Sequence, residues 1–217
     1  MKRLNALSVT AACVVVGTLG NIAGAAFSAF DVDAEGWTVV DTSGAGDYSL
    51  LIGELGTVWA ADSGNPGGGI SATDDTNFTI MFRAPDAYRG DRSAALGLEL
   101  RFDITSTHDS WTQDTVVVLK GANMILVSEF TLPTVGQWNA VAIPLVASSF
   151  RMNNAQGAVA SDADFAAVLA DVDEFWINAE FGDGLIETTT LDNVYFPVPT
   201  PGAIALAPLA LLLRRRR

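Results

Sequence analysis

The chain has 217 residues, with 25 acidic and 12 basic side chains for a formal charge of −13, one cysteine and one histidine. An acidic balance of this size argues against a nucleic-acid partner, whose phosphates such a surface repels. A lone cysteine cannot build a disulfide framework, and with a lone histidine it supplies no Cys/His set for a transition metal.

The first thirty residues read MKRLNALSVTAACVVVGTLGNIAGAAFSAF. Lys2 and Arg3 form a short positive region, Val9 to Leu19 an apolar run, and Ala23-Gly24-Ala25 a small-x-small site. This order predicts a signal peptide over residues 1–25 that signal peptidase removes. The run is short for a bilayer span. Cys13 lies inside it, with Thr10 where a lipoprotein signal would carry a leucine-like residue. The exported chain then has no thiol, although it enters a compartment where disulfides form.

Residues 26–197 are expected to form one domain, long enough to bury roughly 70% of its unfolded surface. All 25 acidic residues fall between Asp31 and Asp192, opposed only by Arg83, Arg89, Arg92, Arg101, Lys120 and Arg151, a regional charge of −19. Such a surface suits divalent cations or neutral glycans as company. Aspartate outnumbers glutamate, which fits a fold rich in turns and caps.

The stretch FDVDAEGW, Phe30 to Trp37, begins like a calcium loop. An EF-hand needs a bidentate acid at its twelfth position and flanking helices. Counted from Asp31 that position is Thr42, and strand-like WTVVD follows Gly36. The EF-hand reading fails, and strand, turn and strand replace it. Downstream, Phe78, Ile80 and Phe82 alternate with Thr79, Met81 and Arg83, and Leu98, Leu100, Phe102 and Ile104 alternate with polar neighbours. Period two predicts half-buried antiparallel strands. TVVVLKGANMILVSEF predicts a hairpin turning at Gly121-Ala122-Asn123. Residues 138–143 are apolar on both faces and predict a deeper strand ending at Pro144. In SDADFAAVLADVDEF the period changes. Phe165, Val168, Leu169 and Val172 fall at helical spacing, and Ser161 with Asp164 forms a capping-box-like start. About ten strands and one short helix predict an all-β, antiparallel jelly-roll β-sandwich. Trp37, Trp59, Trp138 and Trp176 are assigned to the core, and SGNPGGG to a turn with close backbone packing.

Six blocks in this order, FDVDAEGW, SGNPGGGISATD, FRAPDAYRGDRSAALGLELRFDI, QWNAVAIPL, DFAAVLADVDEFWINAEF and LDNVYF, resemble the laminin IV type A domain, also called laminin B. The resemblance spans about residues 30–196. It implies a jelly roll related in shape to carbohydrate-binding modules, and no catalysis. The cysteine-rich repeats that usually flank such domains are absent, so a laminin-network role does not transfer. The tail, residues 198–217, resembles a PEP-CTERM sorting signal. It has a Pro199/Pro201 hinge, an apolar run Ala203 to Leu213 and the cluster Arg214, Arg215, Arg216 and Arg217. Thr200 stands where that family usually has Glu. Eleven helical residues reach roughly 17 Å against a membrane core of about 30 Å. The resemblance implies transient membrane association and processing by an exosortase-like enzyme. Together the two ends place the protein at the cell surface or in the extracellular matrix.

Two candidate sites follow. Jelly rolls place their first and last strands side by side, which would bring Asp31 or Asp33 near Asp192. Calcium takes carboxylates with turn carbonyls, so a structural calcium is one reading of these acids, and turn-capping carboxylates are the other. The loop THDSWTQDT gathers Asp109, Trp111, Gln113 and Asp114, an aromatic face with hydroxyl-binding neighbours of the kind a carbohydrate site needs. A solvent loop with its Trp folded over the core is the alternative. His108 has no visible nucleophile partner, and no catalytic residue is assigned. The functional expectation is a non-enzymatic surface or matrix protein that associates with extracellular polysaccharide, with a sugar-binding module around Trp111 as the second reading.

Overall fold

Among the described residues, the alternating segments fold as thirteen strands: β1 (Ala26–Ser28), β2 (Thr38–Thr42), β3 (Leu51–Leu55), β4 (Val58–Gly64), β5 (Gly67–Asp74), β6 (Ile80–Arg83), β7 (Glu99–Ser106), β8 (Val116–Gly121), β9 (Met124–Glu129), β10 (Asn139–Pro144), β11 (Arg151–Met152), β12 (Val172–Asn178) and β13 (Glu187–Phe196). The computed structural model describes residues 25–43, 46–75, 78–108, 115–182 and 185–197. The N-terminal segment, the C-terminal tail and Asp109, Trp111, Gln113 and Asp114 lie outside them. Among the described residues, no helix is long and apolar enough to cross a membrane.

The strands pair antiparallel in two sheets. Sheet A has the order β10-β7-β13-β5-β4, with β1 also paired to β13, and sheet B has the order β11-β9-β8-β12-β6-β2-β3. The two sheets stack as the jelly-roll sandwich that the alternation predicts. β7 buries Leu100, Phe102 and Ile104, and β13 buries Leu191 and Val194 against Phe82, Leu119, Phe175 and Ile177 of sheet B. The turn between β8 and β9 consists of Ala122 (φ 49°) and Asn123 (φ 58°). Two positive φ values in a two-residue connection match the right-handed twist of the hairpin.

An α-helix, α1, spans Asp162–Ala170. Ser161 caps it, with its Oγ accepting from Asp164 N–H at 3.1 Å and donating to Asp164 Oδ2 at 2.7 Å. Its buried residues are Phe165, Val168 and Leu169, as the spacing predicts, and Phe150 stacks on Phe165 with ring centroids 4.9 Å apart. Val172 already belongs to β12.

Three local expectations are corrected. β6 is buried on both faces, because Met81 lies under a second apolar cluster outside sheet B, made by Val40, Tyr48, Val116, Val118, Val127, Ala155 and Trp176. Conversely, β10 is the edge of sheet A and largely exposed, since alanines on its outer side leave nothing large to cover. Trp59 and Trp138 are only partly buried, whereas Trp37 and Trp176 are core residues.

Aromatic rings join the sheets at one end. Trp37 meets Tyr88 at 5.1 Å and Phe175 at 5.9 Å, and Phe175 meets Phe196 at 5.7 Å. The Tyr88 hydroxyl bridges Ser28 Oγ and the Val194 carbonyl at 2.9 Å each, and Trp37 Nε1 donates to Ser28 Oγ at 3.0 Å. Truncation of Trp37 to Ala removes the hub of this cluster and is expected to cost about 3–5 kcal/mol. Tyr88→Phe leaves the rings in place but deprives buried Val194 of its donor, and is expected to cost about 1–2 kcal/mol. Urea unfolding of the two variants checks both magnitudes and their order.

Candidate functional site

β1 and β13 are neighbours, with Ala26 opposite Phe196 and Ser28 opposite Val194. This pairing carries the chain into the acidic turn next to the β4–β5 hairpin. Asp31 and Asp192 both reach that hairpin. Asp31 Oδ1 lies 3.4 Å from where a Cβ on Gly67 would stand. Asp192 Oδ2 accepts from Asn65 N–H at 2.6 Å, and Asp192 Oδ1 accepts from Asn193 N–H at 2.7 Å. A Cβ on Gly64 would fall 1.9 Å from the Gly68 carbonyl and 2.7 Å from Asp192 Oδ2, so only glycine lets the hairpin close over this carboxylate. The close-packed turn read from SGNPGGG is borne out.

Asp103, opposite Asp192 on β7, completes the cluster. Its Oδ2 accepts from Asn193 Nδ2 at 2.9 Å and from Asn65 Nδ2 at 3.3 Å. Burial pushes the Asp192 carboxyl above the usual carboxylate range, and the negative charges of Asp103 and Asp31 push it the same way against the pull of two backbone N–H groups. Asp33 Oδ1 accepts from Glu35 N–H at 2.7 Å within the turn. Glu35 in turn accepts from Phe30 N–H at 2.8 Å. The opening stretch is therefore a capped turn between β1 and β2. Asp31 and Asp192 come together, joined by Asp103, which sequence reasoning missed because cross-strand register is not visible along the chain. Among the described residues, no three His, Cys, Asp or Glu side chains form a group that could hold a metal ion. N–H donors already hold both oxygens of Asp192.

A second acidic group lies at the opposite end of β13. Glu187 and Asp74 face each other across β13 and β5, both buried, and Glu180 lies close by. Glu187 Oε1 accepts from Phe181 N–H, while Glu187 Oε2 and the buried Thr189 hydroxyl have no hydrogen-bond partner among the described residues. Burial raises the Glu187 carboxyl to about 8, and the charges of Glu180 and Asp74 act in the same sense. At neutral pH Glu187 is therefore mainly a neutral carboxylic acid. It is enclosed by protein, so its protonation bears on stability rather than on a dissolved substrate. His108, beside Gly182, lies at the same end.

The outer face of sheet A carries a row that the sequence pattern did not single out. Ala142 of β10 is opposite Arg101 of β7, Arg101 is opposite Tyr195 of β13, and Tyr195 is opposite Phe27 of β1. Phe27 is 57% exposed. Two adjoining hollows of about 480 and 430 Å³ share Arg101 and Tyr195. The one available sequence signal was Phe27 lying outside the apolar alternation of any long strand.

A family model described as Laminin B (Domain IV) matches residues 81–208. Among solved structures, the L4b domain of human laminin alpha-2 is similar at 16% identity and a TM-score of 0.64, over 82% of this chain and 99% of that one. A family 11 carbohydrate-binding module from Clostridium thermocellum, in complex with a beta-1,3-1,4-mixed-linked tetrasaccharide, aligns at 20% identity and a TM-score of 0.48, over 79% of this chain and 94% of that one. No curated protein matches.

A carboxyl whose folded pKa exceeds its unfolded value stabilises the fold at low pH and loses that contribution as pH rises through the folded value. With Glu187 shifted from 4.5 to about 8, its contribution to the melting temperature is expected to decline between pH 5 and pH 8. The variant Glu187→Gln should flatten that decline and melt higher than the parent at pH 8. A melting series across this pH range checks it.

Proposed function

The chain belongs to the laminin B (domain IV) family, and from this we propose that it is a non-enzymatic exported protein of the cell surface or extracellular matrix that associates with extracellular polysaccharide. The observation that carries the reading is the family match over residues 81–208, set on a two-sheet antiparallel sandwich. A domain with six basic side chains against 25 acidic ones favours neutral, hydroxyl-rich partners over polyanions. The polar side chains of such a module hold turns and sheet faces, and its work is binding.

The two ends give this reading its route. Residues 1–25 direct export and signal peptidase cleaves them. The 198–217 segment, with Pro199, Pro201 and Arg214 to Arg217, holds the chain at the membrane until an exosortase-like enzyme processes it. Mass spectrometry of both termini of protein isolated from its host is expected to find the start near Ala26 and the arginine cluster removed. Intact termini in extracellular material would overturn this route.

A calcium ion would have to be held by two carboxylates, Asp31 and Asp192, and by backbone oxygens, since no group of three acidic side chains is arranged for it among the described residues. A cation that binds only the folded state raises the melting temperature. The full chain is expected to melt higher with millimolar calcium than with a chelator, and Asp192→Asn should remove the difference. Equal midpoints for the parent protein would reject the ion.

A further inference from the structure

We propose that the outer face of sheet A, along the row Ala142–Arg101–Tyr195–Phe27, is the binding site for a neutral oligosaccharide segment. The inference rests on the polysaccharide reading above and names the site and the ligand class.

The row exists because of one irregularity. Along β13, Glu187, Thr189 and Leu191 point inward, and a register shift falls between Asp192 and Tyr195. Asn193 takes φ 52° there, and inward alternation resumes with Val194 and Phe196. Tyr195 is thereby turned outward. Bulges re-aim side chains in this way, often beside functional sites. β1 then adds Phe27 beside it, because Ala26 and Ser28 are both buried on the inner side. Four adjacent strands give a platform roughly 14 Å across at about 4.8 Å per strand.

The side chains suit a sugar. Phe27, 57% exposed, is the cross-strand neighbour of a second aromatic residue, Tyr195. Beside Tyr195 it offers apolar faces to the C–H side of a pyranose, while Ala142 leaves the floor low. Asp103 and the Asn193 amide, joined at 2.9 Å, supply hydroxyl partners on the adjacent part of the face. Arg101 adds a planar donor, but Glu99 holds its guanidinium at 2.6 Å. That pairing leaves no uncompensated cation for an acidic sugar, so the site selects neutral chains. A lipid surface is disfavoured by the same acidic field. Another hollow, about 780 Å³ along the free edge of β10, is lined by Phe130 and Trp138 and meets this face at Ala140 and Ala142.

Affinity electrophoresis of the full chain tests the proposal. The polymers are a mixed-linked β-glucan, a galactomannan, the polyanion alginate and the host's own extracellular polysaccharide. Retardation is expected with at least one neutral polymer or with the host material. Tyr195→Ala and Phe27→Ala should each weaken it about tenfold, equivalent to the loss of one stacked ring, with unchanged melting. Tyr195→Phe should retain binding, and Trp111→Ala should leave it unaltered. Retardation that survives Tyr195→Ala but is lost with Trp111→Ala would overturn this site while leaving the polysaccharide reading standing. Retardation by alginate alone would overturn the neutral class. No retardation by any polymer, the host's included, would overturn the reading itself.

Discussion

The inward turn of Ser28 organises both the interior and the surface of this domain. Its hydroxyl lies at the meeting point of Trp37 Nε1 and the Tyr88 hydroxyl, and the latter also reaches the Val194 carbonyl. Two strands, β1 and β13, and the segments that carry Trp37 and Tyr88 are thereby tied at a buried polar point within an aromatic cluster. A buried hydroxyl or indole N–H is costly unless paired, so the register of β1 against β13 is strongly specified. Strand alternation then leaves Phe27 no choice but the outer face. The exposed aromatic ring follows from the packing beneath it.

The sandwich also carries apolar material outside its two sheets. Trp176, Met81 and Val118 lie on the outer side of sheet B, covered by Tyr48 and Ala155. Lys120 closes the cluster with its ammonium 3.5 Å from the Trp176 ring centroid and 3.7 Å from Glu174. A cation above an indole face, with its charge balanced nearby, seals an apolar surface while remaining compatible with water. The centre of sheet B is thus sheltered on both sides, while its edge strand β3 is largely exposed. Sheet A keeps the outer side of β7 and β10 open, and the proposed oligosaccharide site lies there.

The abundant acids divide by position. Near the β4–β5 hairpin, Asp192 and Asp103 are held by asparagine amides and backbone N–H groups, a polar network that fixes the bulge on β13. At the far end, burial beside Asp74 and Glu180 raises the Glu187 carboxyl. Others, such as Asp33, cap turns. One residue type meets three environments, and its chemistry differs in each because burial and available donors differ.

Period-two alternation in β7, the two-residue connection at Ala122-Asn123, and Ser161 followed by a helical stripe were legible in the sequence, since each is a local rule acting over a few residues. The expected pairing of first and last strands also set Asp31 and Asp192 near each other. Local rules could not tell that β10 is an edge, that β6 is covered on both faces, or that Asp103 joins Asp192. Those outcomes depend on which distant loop or strand comes to rest on a given face. The row from Ala142 to Phe27 draws one residue from each of four separated strands, and a bulge decides the direction of Tyr195. Sequence by itself determined which side chains could share a face, because that follows from backbone geometry. Only the tertiary structure decided which faces are covered and which stay open, because that depends on contacts between residues far apart in the chain.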